Sequence, residues 1–351
     1  MTANIAKLVI FDTWMAGKAM DMLRGSDVID LRHLQQSDGY SVNEPELLSM
    51  HGYQSLPRTE LQADYLTNAD FVSRMPNLLA VSSTGAGYDM IDVDACTAAG
   101  IAVVNQSGAN KEAVAEHAFG FILGLSKKIA QADRGMRETD KFDRRTVTGN
   151  DILGKTLGIV GLGQIGTRSA EIARAFRMRV IAYDPYVSAD ECKARGAEKV
   201  DFATLFRESD FVTVHSPRTS ETLGMIDAAA FALMKPSAYF VNTARGGIHK
   251  EDDLLAALEA GQLAGAGLDV WWEEPTPNDH PLLKRNDVIA SPHSAGVTHE
   301  AISNMREWAA DQWIDIFSGR VPPRLINPEV WPKYQDRYAQ KLGVRPADLP
   351  N

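Results

Sequence analysis

The sequence predicts an α/β protein of two domains, each a parallel sheet with helices wound on both faces. Three features of its 351 residues predict this. The chain is longer than the roughly 250–300 residues at which a single hydrophobic core stops growing, so two cores are expected. From about residue 155 onward a short apolar run, a turn and a segment of helical periodicity recur, which is the rhythm of βαβ units. A glycine-rich turn stands at the first of these strand-to-helix junctions.

The apolar runs fall at residues 157–160, 180–183, 211–214, 239–241, 267–270 and 288–290, and six such runs predict a parallel sheet. The first hundred residues carry a looser set, with candidate strands at 8–11, 79–82 and 102–104, which predicts a second α/β domain. Between the two sets, residues 113–137 read as one long helix, because Val114, His117, Ala118, Phe121, Ile122 and Leu125 recur at helical spacing. On that apolar face His117 is expected to be a packed core residue. Residues 300–317 read as an amphipathic helix followed by a Pro-rich stretch at 321–332. The tail 318–351 is shorter than the roughly 40 residues a separate domain needs. The expected partition is residues 1–112 with 300–351 as one discontinuous domain, and residues 113–299 as the other.

Composition excludes several classes of function. With 44% apolar and 23% charged residues the chain is ordinarily globular, and no apolar run approaches the ~20 residues that cross a bilayer, so no membrane association is expected. Residues 1–10 lack the features of a signal peptide, which points to the cytoplasm. Cys96 and Cys192 stand far apart without metal-ligand spacing, so reduced thiols, no disulfide and no metal are expected. A net charge of −10 argues against a nucleic-acid partner. It does not exclude a small anionic ligand, which needs only a few local cations and amides.

The turn is G-L-G-Q-I-G, with Gly161, Gly163 and Gly166 around Gln164 and Ile165, between an apolar strand and a helical segment at 165–176. The first glycine permits the tight turn, the second lets a pyrophosphate approach the backbone, and the third lets helix and strand pack closely. The helix N-terminus then offers amides and partial positive charge to phosphates. Asp184, 18 residues beyond Gly166 at the end of the next strand, can accept hydrogen bonds from ribose hydroxyls and would repel a 2′-phosphate, which favours NAD. Strand, turn, helix and acid together predict a Rossmann-type dinucleotide-binding domain.

Open parallel sheets bind ligands beyond the carboxyl ends of their strands, and four reactive residues fall there: Arg245, Asp269, Glu274 and His293. Arg245 offers a permanently charged planar fork suited to a carboxylate. His293 can donate a proton to a keto oxygen as hydride reaches the carbon and accept it back in reverse, while Glu274 can hold the imidazole and favour its charged form. Singly, each could serve in a structural ion pair; their convergence carries the catalytic reading.

These segments, N-T-A-R-G-G at 242–247, G-L-D-V-W-W-E-E-P at 267–275 and S-P-H-S-A-G at 291–296, resemble the D-2-hydroxyacid dehydrogenase family, whose members include short-form phosphoglycerate, glyoxylate/hydroxypyruvate and D-lactate dehydrogenases. The similarity runs from about residue 79 to residue 325 and is weak before it. It implies a Rossmann-type doubly wound parallel sheet with a second, flavodoxin-like α/β substrate domain, and NAD-linked interconversion of a small 2-hydroxy acid and its 2-keto acid, D-specific. It implies that Arg245 binds substrate, that Glu274 and His293 are the acid–base pair, and that Asp269 meets the nicotinamide carboxamide. Glu274 rather than Glu273 is the acid because it immediately precedes Pro275. By the same resemblance Gly85 and Ala86, in S-T-G-A-G-Y-D-M-I-D at 83–92, receive the substrate carboxylate, and Asn110 faces the active cleft. His215 and Pro217, in H-S-P-R-T-S-E-T at 215–222, and Thr243 line the cofactor. The family also implies a homodimer through the helix at 113–137, and the spread of Phe119, Phe121, Ile122 and Leu125 over more than one face suits burial on two sides.

Some positions depart from the family pattern. Arg218 replaces a usual apolar residue and reads as an exposed loop arginine, with stacking on adenine or contact to a 2′-phosphate as the alternative. Trp271 and Trp272 replace a single aromatic and read as space-filling under the loop that bears Glu274, with narrowing of the pocket as the alternative. Residues 38–64 align with nothing; within them His51, Tyr53, Gln54 and Arg58 suit either substrate selection or a solvated loop. Formate dehydrogenases, with glutamine in place of Glu274, are disfavoured. A reading from another class is a dinucleotide-sensing, corepressor-like interaction protein without significant turnover.

Overall fold

The computed structural model describes residues 5–58 and 60–350. The chain forms two compact units, residues 1–110 with 299–351, and residues 111–298. The first unit is built on five parallel strands, β1 (Ala6–Phe11), β2 (Ile29–Leu34), β3 (Gly52–Gln54), β4 (Ala80–Ser82) and β5 (Ala102–Val104), in the order β2-β1-β3-β4-β5. Three of these match the expected runs. β2 lies at the sheet edge with only Ile29 buried, so Asp30, Arg32 and His33 hide it from a search for apolar runs. β3 is three residues long and fully buried.

That burial removes the solvated-loop alternative for His51, Tyr53 and Gln54. Tyr53 is inaccessible and donates its hydroxyl to the Tyr65 carbonyl at 3.0 Å. Gln54 accepts from Trp313 Nε1 at 2.9 Å and donates to the Ser82 carbonyl, and His51 Nδ1 accepts the Lys7 amide at 3.0 Å. Of the four residues only Arg58 is exposed, near Asp89. A side chain at Gly52 would place its Cβ 2.6 Å from the Trp313 ring, so glycine is what lets the helix His299–Phe317 lie on β3.

The tail does more than close off a Pro-rich stretch. It forms a helix, Trp331–Leu342, whose Trp331, Tyr334, Tyr338 and Leu342 are buried in the first unit's core. Pro332 suits the first turn, where no intrahelical donor is lost, so it does not break the helix. Asn327 ties the tail down: its side chain accepts the Val103 amide at 2.8 Å and donates to the Ile101 carbonyl at 3.1 Å.

The second unit holds seven parallel strands, β6 (Thr156–Val160), β7 (Arg179–Tyr183), β8 (Glu198–Lys199), β9 (Phe211–Val214), β10 (Tyr239–Asn242), β11 (Gly265–Leu268) and β12 (Val288–Ala290), ordered β12-β11-β10-β9-β6-β7-β8. Chain order runs outward both ways from β6, so the topological switch lies between β6 and β9. The two-residue β8 was not expected, and β11 ends at Leu268, leaving Asp269 just beyond the strand.

The long helix expected at 113–137 is two helices, Lys111–Ser126 and Ile129–Glu138, broken where Lys128 takes a left-handed φ of 54°. The first lies directly on the sheet: a Cβ at Gly267 would come within 2.7 Å of Phe121. Phe119, Phe121, Ile122 and Leu125 all join the unit's core, so they are not the exposed second face anticipated for an oligomer contact. The apolar residues left exposed are on the following helix, Ile129 and Met136, at 58% and 72%.

Candidate active site

β6 delivers the chain into the glycine turn. Gly161 has φ +90° and no room for a Cβ, which would sit 2.7 Å from the Ser216 amide nitrogen, and a Cβ at Gly166 would meet the Gly161 carbonyl at 2.2 Å. Gly163 faces open space, and no side chain caps the helix Gln164–Ala175 that it begins. The first amides of that helix, at Gln164, Ile165 and Gly166, are therefore free for an anion. Asp184 follows β7 and accepts the Leu162 amide at 2.9 Å and the Tyr186 amide at 3.0 Å, which locks it beside the turn with lone pairs to spare. Ser216 and Thr243, after β9 and β10, each keep a buried hydroxyl with no partner among the described residues. Backbone without side-chain bulk, an uncapped helix, a fixed carboxylate and two unspent hydroxyls at the carboxyl end of one sheet fit a dinucleotide.

Two loop residues differ from expectation. The His215 imidazole turns inward to Ser169 and Thr213, and burial drives its pKa down to about 3, so it is neutral and leaves only its backbone to the loop. Arg218 is half-buried and donates to the Gly246 carbonyl at 3.4 Å, so it belongs with the loop of Arg245, across β6 from Asp184. Pro217 is exposed beside it.

The loop after β10 is organised by Asn242, which accepts the Ala244 amide at 2.9 Å and donates to the Arg245 carbonyl at 3.1 Å. Its partner on the other side is His249, a buried histidine whose pKa burial lowers to about 4. Gly246 lets the Trp271–Trp272 backbone pass, since a Cβ there would lie 1.8 Å from the Trp271 carbonyl oxygen, and a Cβ at Gly247 would lie 2.8 Å from the Trp272 ring. Trp271 is buried and fills this space as expected, whereas Trp272 is 67% exposed.

Glu274 accepts the Trp271 amide on Oε1 at 3.0 Å and meets His293 Nδ1 on Oε2 at 2.8 Å. Burial pushes this carboxyl up, but the hydrogen bond and charge of His293, the Trp271 amide and the charge of Arg245 outweigh it, holding Glu274 below the ordinary carboxylate range. With Nδ1 engaged, His293 Nε2 makes no hydrogen bond to any described residue and is the nitrogen left for a substrate. His293 has φ +55°, a left-handed conformation that a non-glycine residue holds only under constraint. The constraint is Asp269, fully buried: its carbonyl accepts the His293 amide at 2.6 Å, and its carboxylate accepts the Ser294 and Ala295 amides at 2.7 and 2.9 Å. Ser291 Oγ donates to the same carboxylate at 2.5 Å. Three of about four acceptor positions are thus spent on the loop that carries His293.

His117 is not the packed core residue its helical spacing implied. It is partly exposed, and its Nε2 lies 2.9 Å from Ser291 Oγ and 3.9 Å from Asp269 Oδ1. Gly85, Ala86 and Asn110 belong to the other unit. There the Gly85 carbonyl accepts from the Gln106 amide and Ser83 Oγ, and the Ala86 carbonyl from Asn105 Nδ2. Both carbonyls being spent, the two amides are left as donors, while Asn110 Oδ1 is buried without a partner among the described residues.

The fold and turn define a dinucleotide-binding protein with a glutamate–histidine pair beside an arginine. Residues 119–295 match the family described as D-isomer specific 2-hydroxyacid dehydrogenase, NAD binding domain. The chain is 41% identical over 260 residues to a D-3-phosphoglycerate dehydrogenase of Archaeoglobus fulgidus, 74% of this chain but only 49% of that protein, so it spans about half the relative's length. It is 40% identical to a glyoxylate reductase of Korarchaeum cryptofilum over 75% of this chain and 80% of that one. The D-mandelate dehydrogenase of Rhodotorula graminis superposes with a TM-score of 0.82 at 30% identity, over 92% of this chain and 97% of that one. The protein belongs to the D-isomer specific 2-hydroxyacid dehydrogenase family, and its second unit is a nicotinamide-dinucleotide-binding domain.

Proposed function

We propose that the protein is an NAD-dependent dehydrogenase that interconverts a small 2-hydroxy acid, of D configuration, and its 2-keto acid. The observation that carries the reading is the 2.8 Å contact of Glu274 with His293 Nδ1, which leaves Nε2 unspent beside Arg245's loop. Arg245 holds the substrate carboxylate by its fork. In the other unit the amides of Gly85 and Ala86 are donors suited to a carboxylate, and Asn110 Oδ1 is an acceptor without a partner among the described residues. His293 gives its Nε2 proton to the keto oxygen in reduction and recovers one in oxidation; Glu274 balances the imidazolium charge while it lasts. The dinucleotide, when bound, supplies or takes up the hydride. Gly161, Gly163, Gln164, Ile165 and Gly166 would hold its pyrophosphate, Asp184 its adenosine ribose and Asp269 its nicotinamide carboxamide, with His215, Pro217 and Thr243 lining it.

The protein acts in the cytoplasm as a homodimer in this reading. Both cysteines are free and buried, the Cys96 thiol pushed up to about 12 by burial. The exposed Ile129 and Met136 offer the dimer contact, and no described helix is long and apolar enough to cross a membrane. The test is consumption of NADH and of NADPH with a panel of 2-keto acids. NADH-linked turnover with at least one acid, favoured over NADPH by about 10-fold or more because Asp184 repels a 2′-phosphate, is expected. Binding of NADH without turnover across the panel would instead mark a dinucleotide sensor.

A further inference from the structure

The geometry points to His117 as a positioning residue for His293, acting through Ser291 and Asp269. This rests on the reading of His293 as the proton donor. Ser291 has one hydroxyl proton, and it is given to Asp269 Oδ1 at 2.5 Å. Its oxygen can then only accept from His117, so the 2.9 Å contact requires a proton on His117 Nε2. The direction of the whole chain is thereby fixed: His117 donates to Ser291, Ser291 to Asp269, and Asp269 receives three consecutive amides, 293 to 295, on its carbonyl and carboxylate oxygens. Those amides form the turn in which His293 takes its left-handed φ. Without His117 the Ser291 hydroxyl is free to rotate away from Asp269, and the carboxylate loses the donor that orients it toward the turn.

Everything else around the chain is arranged to leave this one adjustable. The Ser291 backbone is pinned, its amide to the Leu268 carbonyl and its carbonyl to Trp271 Nε1. The His117 ring is braced edge-on by Phe121 at 4.7 Å between centroids. Its Nδ1 makes no hydrogen bond to a described residue, so the ring's one hydrogen bond goes to Ser291, with Asp269 Oδ1 3.9 Å beyond. A histidine kept only to fill the core would have neither the fixed donor direction nor the partial exposure.

The experiment compares full-length His117→Phe, His117→Gln, Ser291→Ala and the His117→Phe/Ser291→Ala pair with the wild type, all with NADH bound. Phe keeps the ring and loses the donor, whereas Gln restores an N–H at the place of Nε2. The first readout is amide hydrogen exchange of a peptide spanning 291–296. It is expected to quicken by about tenfold in His117→Phe and in Ser291→Ala, no further in the pair, and to stay near wild type in His117→Gln. The second is glyoxylate reduction, in which kcat is expected to fall by about tenfold in the same variants with KM for NADH unchanged within about twofold. Unaltered exchange in His117→Phe, or effects of the two single changes that multiply in the pair, overturns the proposal. If His117→Phe does not fold, Ser291→Ala against His117→Gln carries the same comparison, and unaltered exchange in Ser291→Ala overturns it alone. His293→Asn separates this from the reading it rests on: retained turnover there refutes the proton-donor assignment, whereas abolished turnover beside an indifferent His117→Phe refutes only the role of His117.

Discussion

Two histidine–glutamate pairs stand in the second unit, and they differ in what each histidine has left to give. His280 contacts Glu251 at 3.2 Å through Nε2 and accepts the Leu282 amide on Nδ1 at 3.3 Å, so both nitrogens are spent on the protein. His293 contacts Glu274 at 2.8 Å through Nδ1, and its Nε2 is unspent. Both glutamates are anchored by a backbone amide of the tryptophan pair, Glu251 by Trp272 and Glu274 by Trp271. Residue type and ion-pair geometry are thus nearly the same. On the proposed function, the unspent nitrogen, together with a backbone held in the left-handed region, is what separates His293 as a group for chemistry from His280 as a group that fastens the protein.

The sharpest way to break this contrast is to replace each histidine by asparagine. His293→Asn is expected to lower kcat by about 10²–10⁴, the range for loss of a general acid–base. His280→Asn is expected to leave kcat within about twofold and to cost on the order of 1 kcal/mol of stability, as for a lost internal hydrogen bond. Equal effects of the two changes on kcat, with both variants folded, would erase the distinction.

A somewhat smaller effect is expected from Arg245→Lys. The ammonium cannot reproduce the two-pronged contact, so kcat/KM for keto acid should fall by about 10²-fold while NADH affinity measured by fluorescence titration stays close to wild type. Near-normal efficiency would make Arg245, like His280, a fastener of its loop.

The smallest expected effect is the most diagnostic for the pair itself. Glu274 is held below the ordinary carboxylate range, so it stays ionised to lower pH than a free carboxyl and keeps its negative charge against His293. In Glu274→Gln kcat/KM should fall by about tenfold in both directions, because a neutral amide cannot balance the proton that His293 carries during the reaction. The sign for stability is the opposite of a histidine's. A depressed carboxyl contributes fully above its unfolded value, near pH 4.3, and the contribution drains away as pH falls through the lowered folded value. Acid unfolding of the wild type should therefore be the steeper of the two. Superimposable kcat/KM profiles in both directions would remove Glu274 from the chemistry.

Much of this architecture was legible in the chain because local chemistry and global fold agree there. The central strands of the second unit are apolar on both faces, and the glycine turn can serve only where strand meets helix, so spacing alone located them. β2 escaped because an edge strand needs few apolar residues, and β3 because its Gly-Tyr-Gln offers no apolar run, unlike the equally short β4 and β5. The break at Lys128 is a single left-handed residue with no glycine to announce it. His117 was misread because helical spacing placed it among apolar neighbours, while the partner that defines it, Ser291, lies 174 residues away. Asp269 was recognised as a site residue, but its grip on the 293–295 amides is a property of the folded turn.

The strand order carries a consequence for how such a protein can change. Asp184 follows β7, whereas Arg245 follows β10, three strands across the sheet. At about 4.8 Å per strand they stand roughly 14 Å apart, beyond the ~7–10 Å within which substitutions usually interfere. On the proposed assignments, nucleotide choice and carboxylate anchoring are therefore separable traits, and a lineage or an engineer can retune the nucleotide at position 184 without disturbing the acid's anchor at position 245.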